Sequence, residues 1–429
     1  MIEFLVNQGW DKDVATGVAL LLGVVAVSTF GLLWIILGIW VERKFAGRVQ
    51  DRLGPNRTGP YGLFQTFADL GKLLTKEDIT PQGADKVIYN MAPLISVGAV
   101  LLIWAVVPFS KEWIGSDLNV GALYFTAVGS FGTLAILLAG WGSNNKYALL
   151  GAFRVIAQLV SYEVPMVLSI LVPVLLSGSM SMQEIVNKQN IWYIFVSPIA
   201  ALLFFISSLA EVGRSPFDLI EAESEIVAGF NIEYSGMKFG MFYAAEFLHA
   251  FTICVLASIL FLGGWRGIGA EIPGVAGSLL GFVWLFTKTL GVYFLLMLIR
   301  NTVPRIRIDQ MMAFNWKFLV PLSLVNLLVV AFVGKILQPD YVGVTAAATA
   351  SSGLLSLVYQ LLGPNLIAEI PRAVVIFIAS VILWWLVSMV MQRYAIFEHL
   401  KAQTLVKEYK PYSPSPEQPT SAPVPSAGR

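Results

Sequence analysis

Charge and sulfur are what this chain has least of. Only 13% of its 429 residues are Asp, Glu, Lys or Arg, and its single cysteine, Cys254, stands inside an apolar run. One thiol excludes both a disulfide and a four-thiolate iron–sulfur site. A net charge of +1 offers nothing to hold a nucleic-acid backbone. The chain also has no phosphate-cradling glycine loop, no G-x-S-x-G elbow and no zinc-type spacing. Neither β-barrel alternation nor the internal repeat of many secondary transporters can be found. Glu246 and His249 have the i, i+3 spacing of a di-iron helix. Such a site needs a second copy and two more glutamates, so no metal is expected.

What the chain has in excess is apolar length. A hydrophobic content of 57% and a mean hydropathy of +0.73 exceed what one soluble core can bury, and make lipid the natural solvent. Nine stretches have the roughly 20-residue length of a membrane helix: 14–40, 92–109, 120–142, 148–176, 191–210, 239–263, 278–299, 317–334 and 373–391. Glu3, Asp11 and Asp13 precede the first, and no small-residue cleavage site follows it, so it is expected to stay in the mature chain. If 41–91 faces the cytoplasm, that side carries twenty-one Lys and Arg against six on the other. Retention of bases on the cytoplasmic side then puts the N-terminus outside and the C-terminus inside.

The pattern divides the chain into a membrane core over 1–336, an added segment over 337–392 with the ninth span, and a cytoplasmic tail over 393–429. Six prolines among Ser, Thr and Ala in 411–429 argue for disorder there. Three cytoplasmic loops interrupt the core, at 41–91, 211–238 and 300–317. In the first, Leu63, Phe64, Phe67, Leu70 and Leu74 share one helical face opposite Lys72 and Lys76. At about 15 residues this helix is too short to span, and either lies in the interface or packs on neighbouring protein.

The second loop, AEVGRSPFDLIEAESEIVAGFNIEYSG, sets Glu211, Asp218, Glu221, Glu223, Glu225 and Glu233 against the one base Arg214. Glu221 and Glu225 share a helix face, and crowded carboxylates hold protons above their ordinary range. Interleaved Phe217, Leu219, Ile220, Ile226, Val227 and Phe230 make a packed loop as credible as a solvated one. Within the spans, Glu163 precedes Pro165 near the middle of the fourth, Glu246 lies in the sixth and Lys288 in the seventh. Buried ionisable groups mark a proton or ion path, or else form ion pairs that fix helix packing.

Four blocks carry a resemblance: ERKFAGRVQDRLGPNRTGPYGLFQTFADLGKLLTKE, SNNKYALLGAFRVIAQLVSYEVP, the acidic loop with its continuation to MKFG, and PRIRIDQMMAFNWK. In this order they resemble the quinone-chamber membrane subunit of proton-pumping NADH:quinone oxidoreductase, respiratory complex I, which goes by the letter H in bacteria and the number 1 in mitochondria. The resemblance runs from about residue 14 to 334 and implies an all-α bundle of eight tilted helices, beyond which the ninth span and tail lie.

By the same resemblance, Glu163, Glu211, Glu221, Glu223, Glu225, Glu233 and Glu246 form a proton path. Glu42, Arg43, Arg52, Asp69, Arg214, Phe217 and Asp218 line or brace the quinone cavity, and the helix from Pro60 to Glu77 borders its lipid-side opening. Quinone is then the substrate, with no catalytic residue or redox centre in this chain alone. FMN and iron–sulfur clusters belong to partner subunits. The implied partners are the hydrophilic quinone-reducing subunits, the antiporter-like and small membrane subunits, and the bilayer of the bacterial inner membrane. Related subunits serve ferredoxin-linked and hydrogenase-type complexes. An autonomous ion transporter would also place Glu and Lys in its spans, but has little use for three large loops on one face.

Overall fold

The computed structural model describes residues 11–218, 229–337 and 364–408. The chain forms two compact units, residues 1–380 and 381–429. Every regular element among the described residues is helical, the only β contact being an isolated bridge between Pro108 and Ile114.

The helices begin and end where local chemistry allows. Helix α1 (Lys12–Val49) is capped by the Asp11 carboxylate on the Lys12 N–H. At 1.5 Å per residue its 38 residues reach roughly 57 Å, well beyond the hydrocarbon thickness. Its last turns therefore carry Glu42 and Arg43 out of the apolar run that precedes them. Helix α2 (Gln65–Thr75) follows a tight turn in which Gly62 takes a φ of +77° and a Cβ would strike the Pro55 carbonyl. Asp85 caps α3 (Lys86–Ile103) on the Val87 and Ile88 N–H groups. Helix α4 (Gly121–Gly142) leads through Asn145, which caps on the Tyr147 N–H, into α5 (Lys146–Ser177). Two short helices, α6 (Met182–Asn187) and α7 (Tyr193–Val196), precede α8 (Pro198–Val212). Then come α9 (Gly236–Phe261), α10 (Val275–Thr302), α11 (Ile308–Phe314), a π-turn over Asn315–Leu319, α12 (Val320–Ile336) and α13 (Pro364–Glu408).

Eight of these runs are long and apolar enough to cross a bilayer, rather than nine. The span expected at 191–210 is split at Ser197–Pro198 into α7 and the 15-residue α8. Proline forecloses one helical bond there, and α8 reaches only roughly 22 Å. The other eight expected spans each correspond to a long helix, α13 among them. Helix α13 runs on to Glu408, so residues 393–408 are helical where a tail was expected, and 409–429 lie outside the described residues.

The centre of the first unit is α9, of whose most apolar window 83% is buried against 17% for α1. It packs on α1, α2, α3, α8 and α10, while α5 packs on α4, α8 and α12. Helix α2 rests on α1 and α9, and its Thr66 hydroxyl donates to the Ile36 carbonyl of α1 at 3.1 Å. The apolar ridge of α2 is not what it buries: Phe64, Phe67, Leu70 and Leu74 stay exposed.

Two prolines inside spans free carbonyls that other segments then satisfy. Pro165 removes the N–H that would bind the Ser161 carbonyl, and Asn315 at the π-turn donates its side-chain amide there at 2.6 Å. Pro93 does the same to Tyr89, whose carbonyl accepts from the Tyr234 hydroxyl at 3.0 Å. Burial pushes the Tyr234 phenol well above its ordinary range and keeps it a neutral donor. Replacing Asn315 by Leu leaves the Ser161 carbonyl buried without a donor, and should lower stability by about 1–3 kcal/mol. In a Pro165→Ala background, where an N–H returns, most of that loss should vanish. Thermal midpoints in detergent measure both, and equal losses in the two backgrounds would reject this account.

Candidate functional site

Helix α8 ends at Val212, and Gly213, at a φ of +69°, turns the chain back so that Arg214 points under the bundle. Its side chain is 1% exposed. One terminal nitrogen donates to Glu42 Oε1 at 2.5 Å, Nε lies 3.2 Å from Glu246 Oε1, and the guanidinium sits 4.2 Å from the centre of the Phe247 ring. Arg300 of α10 pairs with the same Glu42 oxygen, while the Tyr293 hydroxyl is 3.5 Å from the other. Two acids and two bases from α1, α8–α9 and α10 thus close a nearly neutral cluster. Arg214 Nη2 remains buried without an acceptor among the described residues.

Beside this cluster the bundle encloses a cavity of about 70 Å³ between α3, α4, α5, α8 and α9. Glu211, Glu246, His249, Asn231, Ser96 and Thr133 contribute its polar lining. At about 10–15 Å³ for each water centre, it holds roughly five waters. Glu211 Oε2 is buried with no protein partner among the described residues. Glu163 does not line the cavity. It accepts from the Ser130 hydroxyl at 2.6 Å, next to Gly129, which abuts Glu211.

Other predicted residues fall into separate groups. Arg43 pairs with Asp69 of α2 at 2.5 Å, and Gln65 steadies Asp69 from 3.2 Å. Arg52 is exposed on the following turn and joins neither ion-pair group among the described residues. Phe217 is buried against the Tyr162 ring at 5.3 Å, and its carbonyl shares the Gln158 amide with that of Ala210, both at 2.7 Å. Asp218 is the last described residue before the acidic run, and Glu221, Glu223 and Glu225 lie outside the described residues.

Glu233 is drawn to the base of α3 and α5. Its carboxylate accepts from Asn145 at 2.7 Å and its carbonyl from the Tyr89 hydroxyl at 2.7 Å. Both flanks of the acidic loop are therefore packed. The Tyr89 and Tyr234 rings stack at 4.2 Å, and the Ile306 N–H donates to Pro216 at 3.1 Å.

A family model described as NADH dehydrogenase matches residues 22–331. A curated protein of Dehalococcoides mccartyi, named as the H subunit of NADH-quinone oxidoreductase, is 49% identical over 73% of this chain and 87% of its own. The proteins of that name from Geobacillus kaustophilus and Bacteroides thetaiotaomicron are 47% and 45% identical, over 73% and 77% of this chain and 92% and 94% of theirs. The chain belongs to the NADH dehydrogenase family, that of the H subunit of NADH-quinone oxidoreductase.

For a chain of this NADH dehydrogenase family, the motifs are legible but their closures are not. Arg300 and Tyr293 were missed because their partner Glu42 is more than 250 residues away. The sequence signal for Arg300 was only a base ending an apolar span. Lys288, the base within that span, donates to the Gly264 and Arg266 carbonyls at 2.9 and 2.7 Å and ties down the loop after α9. In this NADH dehydrogenase-family bundle it is a structural clamp.

The cluster makes a prediction. Arg214→Met takes one cationic partner from each of Glu42 and Glu246, leaves the buried Glu42 with Arg300 alone, and should cost about 3–5 kcal/mol. Adding Glu42→Gln should cost less than the sum of the two single changes, because the charge it removes has already lost a partner. The amount of folded protein in membranes and its thermal midpoint measure this, and strict additivity would reject the coupling.

Proposed function

We propose that this chain is the membrane subunit of a proton-translocating NADH:quinone oxidoreductase that forms much of the quinone-binding chamber and its lipid-side opening, and couples quinone reduction to proton movement. The observation that carries the reading is a cavity of about 70 Å³ with two carboxylates, Glu211 and Glu246, the second of them held by the buried Arg214–Glu42–Arg300 cluster. Reduction of a quinone draws protons and changes charge at the headgroup. Glu42, Arg43, Arg52, Asp69, Arg214, Phe217 and Asp218 line or brace that headgroup's chamber, and the unpaired Arg214 Nη2 keeps a donor for a further acceptor. A change of charge there alters the hold of Arg214 on Glu246. The path then runs through the acidic loop, Glu233, Glu246 and Glu211 to Glu163. The exposed ridge Phe64, Phe67, Leu70 and Leu74 suits a helix bordering an opening to lipid.

Quinone is the substrate, while flavin and iron–sulfur chemistry belongs to hydrophilic partner subunits docked on the loop face. One buried thiol cannot hold a cluster. Antiporter-like and small membrane subunits adjoin the bundle in the bacterial inner membrane, with the N-terminus outside and the C-terminus inside.

Three variants test the reading in reconstituted vesicles, each normalised to assembled complex by NADH oxidation with a hydrophilic electron acceptor. Gly132→Leu fills open space on the cavity wall, where nothing lies within 4 Å of a Cβ. Glu163→Gln keeps the Ser130 hydrogen bond but releases no proton. In both, quinone reduction and pH-gradient formation should fall together by roughly tenfold or more. Arg43→Ala should lower quinone reduction with the hydrophilic-acceptor rate retained. Wild-type rates of both quinone reduction and gradient formation in Gly132→Leu and Glu163→Gln would refute the path. Loss of the hydrophilic-acceptor rate along with the others would point to failed assembly.

A further inference from the structure

Among the titratable groups that line the cavity, the one imidazole has no part in the path just described. His249 lies one turn beyond Glu246 on α9, so the two side chains share a helix face, with Cβ atoms about 5–6 Å apart. Both line the cavity, as does Glu211 from α8. Glu163, on α5, stands behind Glu211, and Tyr243 is the other titratable group on the α9 wall. The α3 and α4 walls bring only Ser96 and Thr133 as polar side chains. An imidazole used to staple a core donates or accepts at a fixed partner. Neither ring nitrogen of His249 has a hydrogen-bond partner among the described residues, although almost every other polar side chain of α9 and α10 does. The ring is thus left to the cavity water.

We propose that His249 is a proton-relay residue between Glu246 and Glu211. This inference rests on the carboxylate path proposed above. A carboxylate takes up and releases a proton at the same small group, whereas an imidazole accepts at one nitrogen and donates from the other, and so passes a proton across its own width. The neutral ring accepts a proton at its free nitrogen from cavity water on the Glu246 side. The imidazolium then gives up the proton on its other nitrogen to water on the Glu211 side. No electrons move, and the ring returns neutral as the opposite tautomer, which exchange with cavity water resets. The i, i+3 spacing with Glu246, which as sequence resembles half of a metal site, is in the fold the spacing of two neighbouring proton carriers along one wall.

The test uses the assembled complex in vesicles. His249→Gln keeps polar contact with water but takes up no proton. It should assemble normally, as judged by NADH oxidation with a hydrophilic acceptor, while quinone-coupled gradient formation falls by roughly tenfold or more. His249→Gly vacates the ring's place. Added imidazole should restore turnover there, and pyrazole, of the same shape but a far weaker base, should not. A wild-type rate in His249→Gln overturns the proposal, as does restoration of His249→Gly by both reagents or by neither. Glu246→Gln measured in parallel separates the two claims. Its loss beside a full rate in His249→Gln removes His249 and leaves the carboxylate path, whereas full rates in both remove both.

Discussion

A guanidinium at 1% exposure decides the layout of this bundle. Taken out of water alone, it would be worth several kcal/mol of penalty, so the fold has to bring carboxylates to it. Glu42 comes from the far end of α1, Glu246 from α9, and Arg300 from α10 pairs with the same Glu42 oxygen, so that two bases face two acids. That requirement is met where α1 runs on past its apolar stretch to Val49, where α8 ends at Val212 and where Gly213 turns the chain. The link from sequence to tertiary structure runs through this one desolvated ion.

A second constraint is the backbone itself. In lipid an unbonded carbonyl has no water to turn to. Pro93 and Pro165 each free one, and in each case the donor comes from a segment distant in sequence: Tyr234 for Tyr89, Asn315 for Ser161. The prolines therefore act as sockets into which the loops plug. Loop segments held this way, with Gln158 reaching both Ala210 and Phe217, give a tied rim beside a cavity with a polar lining.

These two constraints also explain why so apolar a chain gathers its acids in one place. Carboxylates are tolerable in the membrane only where they share a cation or a water-holding cavity. Glu246 has both, Glu211 has the cavity, and Glu163 has a serine hydroxyl. Ion pairs that fix packing and groups open to water are thus not rival descriptions of one set of residues. They divide the set, with Glu42 at the structural end and Glu211 at the wet end.

Hydropathy by itself determined the all-α membrane class and eight of the spans, because burying apolar length in lipid is a local property read residue by residue. The ordered motifs determined the family for the same reason, being contiguous. What the tertiary structure decided was everything that joins distant residues. The expected span at 191–210 was long enough as composition, and only the break at Pro198 made it two short helices. The ridge of α2 reads as a face for the interface or for neighbouring protein, and only the fold shows that it stays exposed on this chain while Thr66 bonds the Ile36 carbonyl of α1. Glu42 and Arg214 are 172 residues apart, and no periodicity in the sequence couples them. His249 looked like half of an incomplete metal site. Whether a histidine serves a metal, a core or a water-filled cavity depends on which neighbours from other helices stand opposite it, and that is settled only when the helices pack.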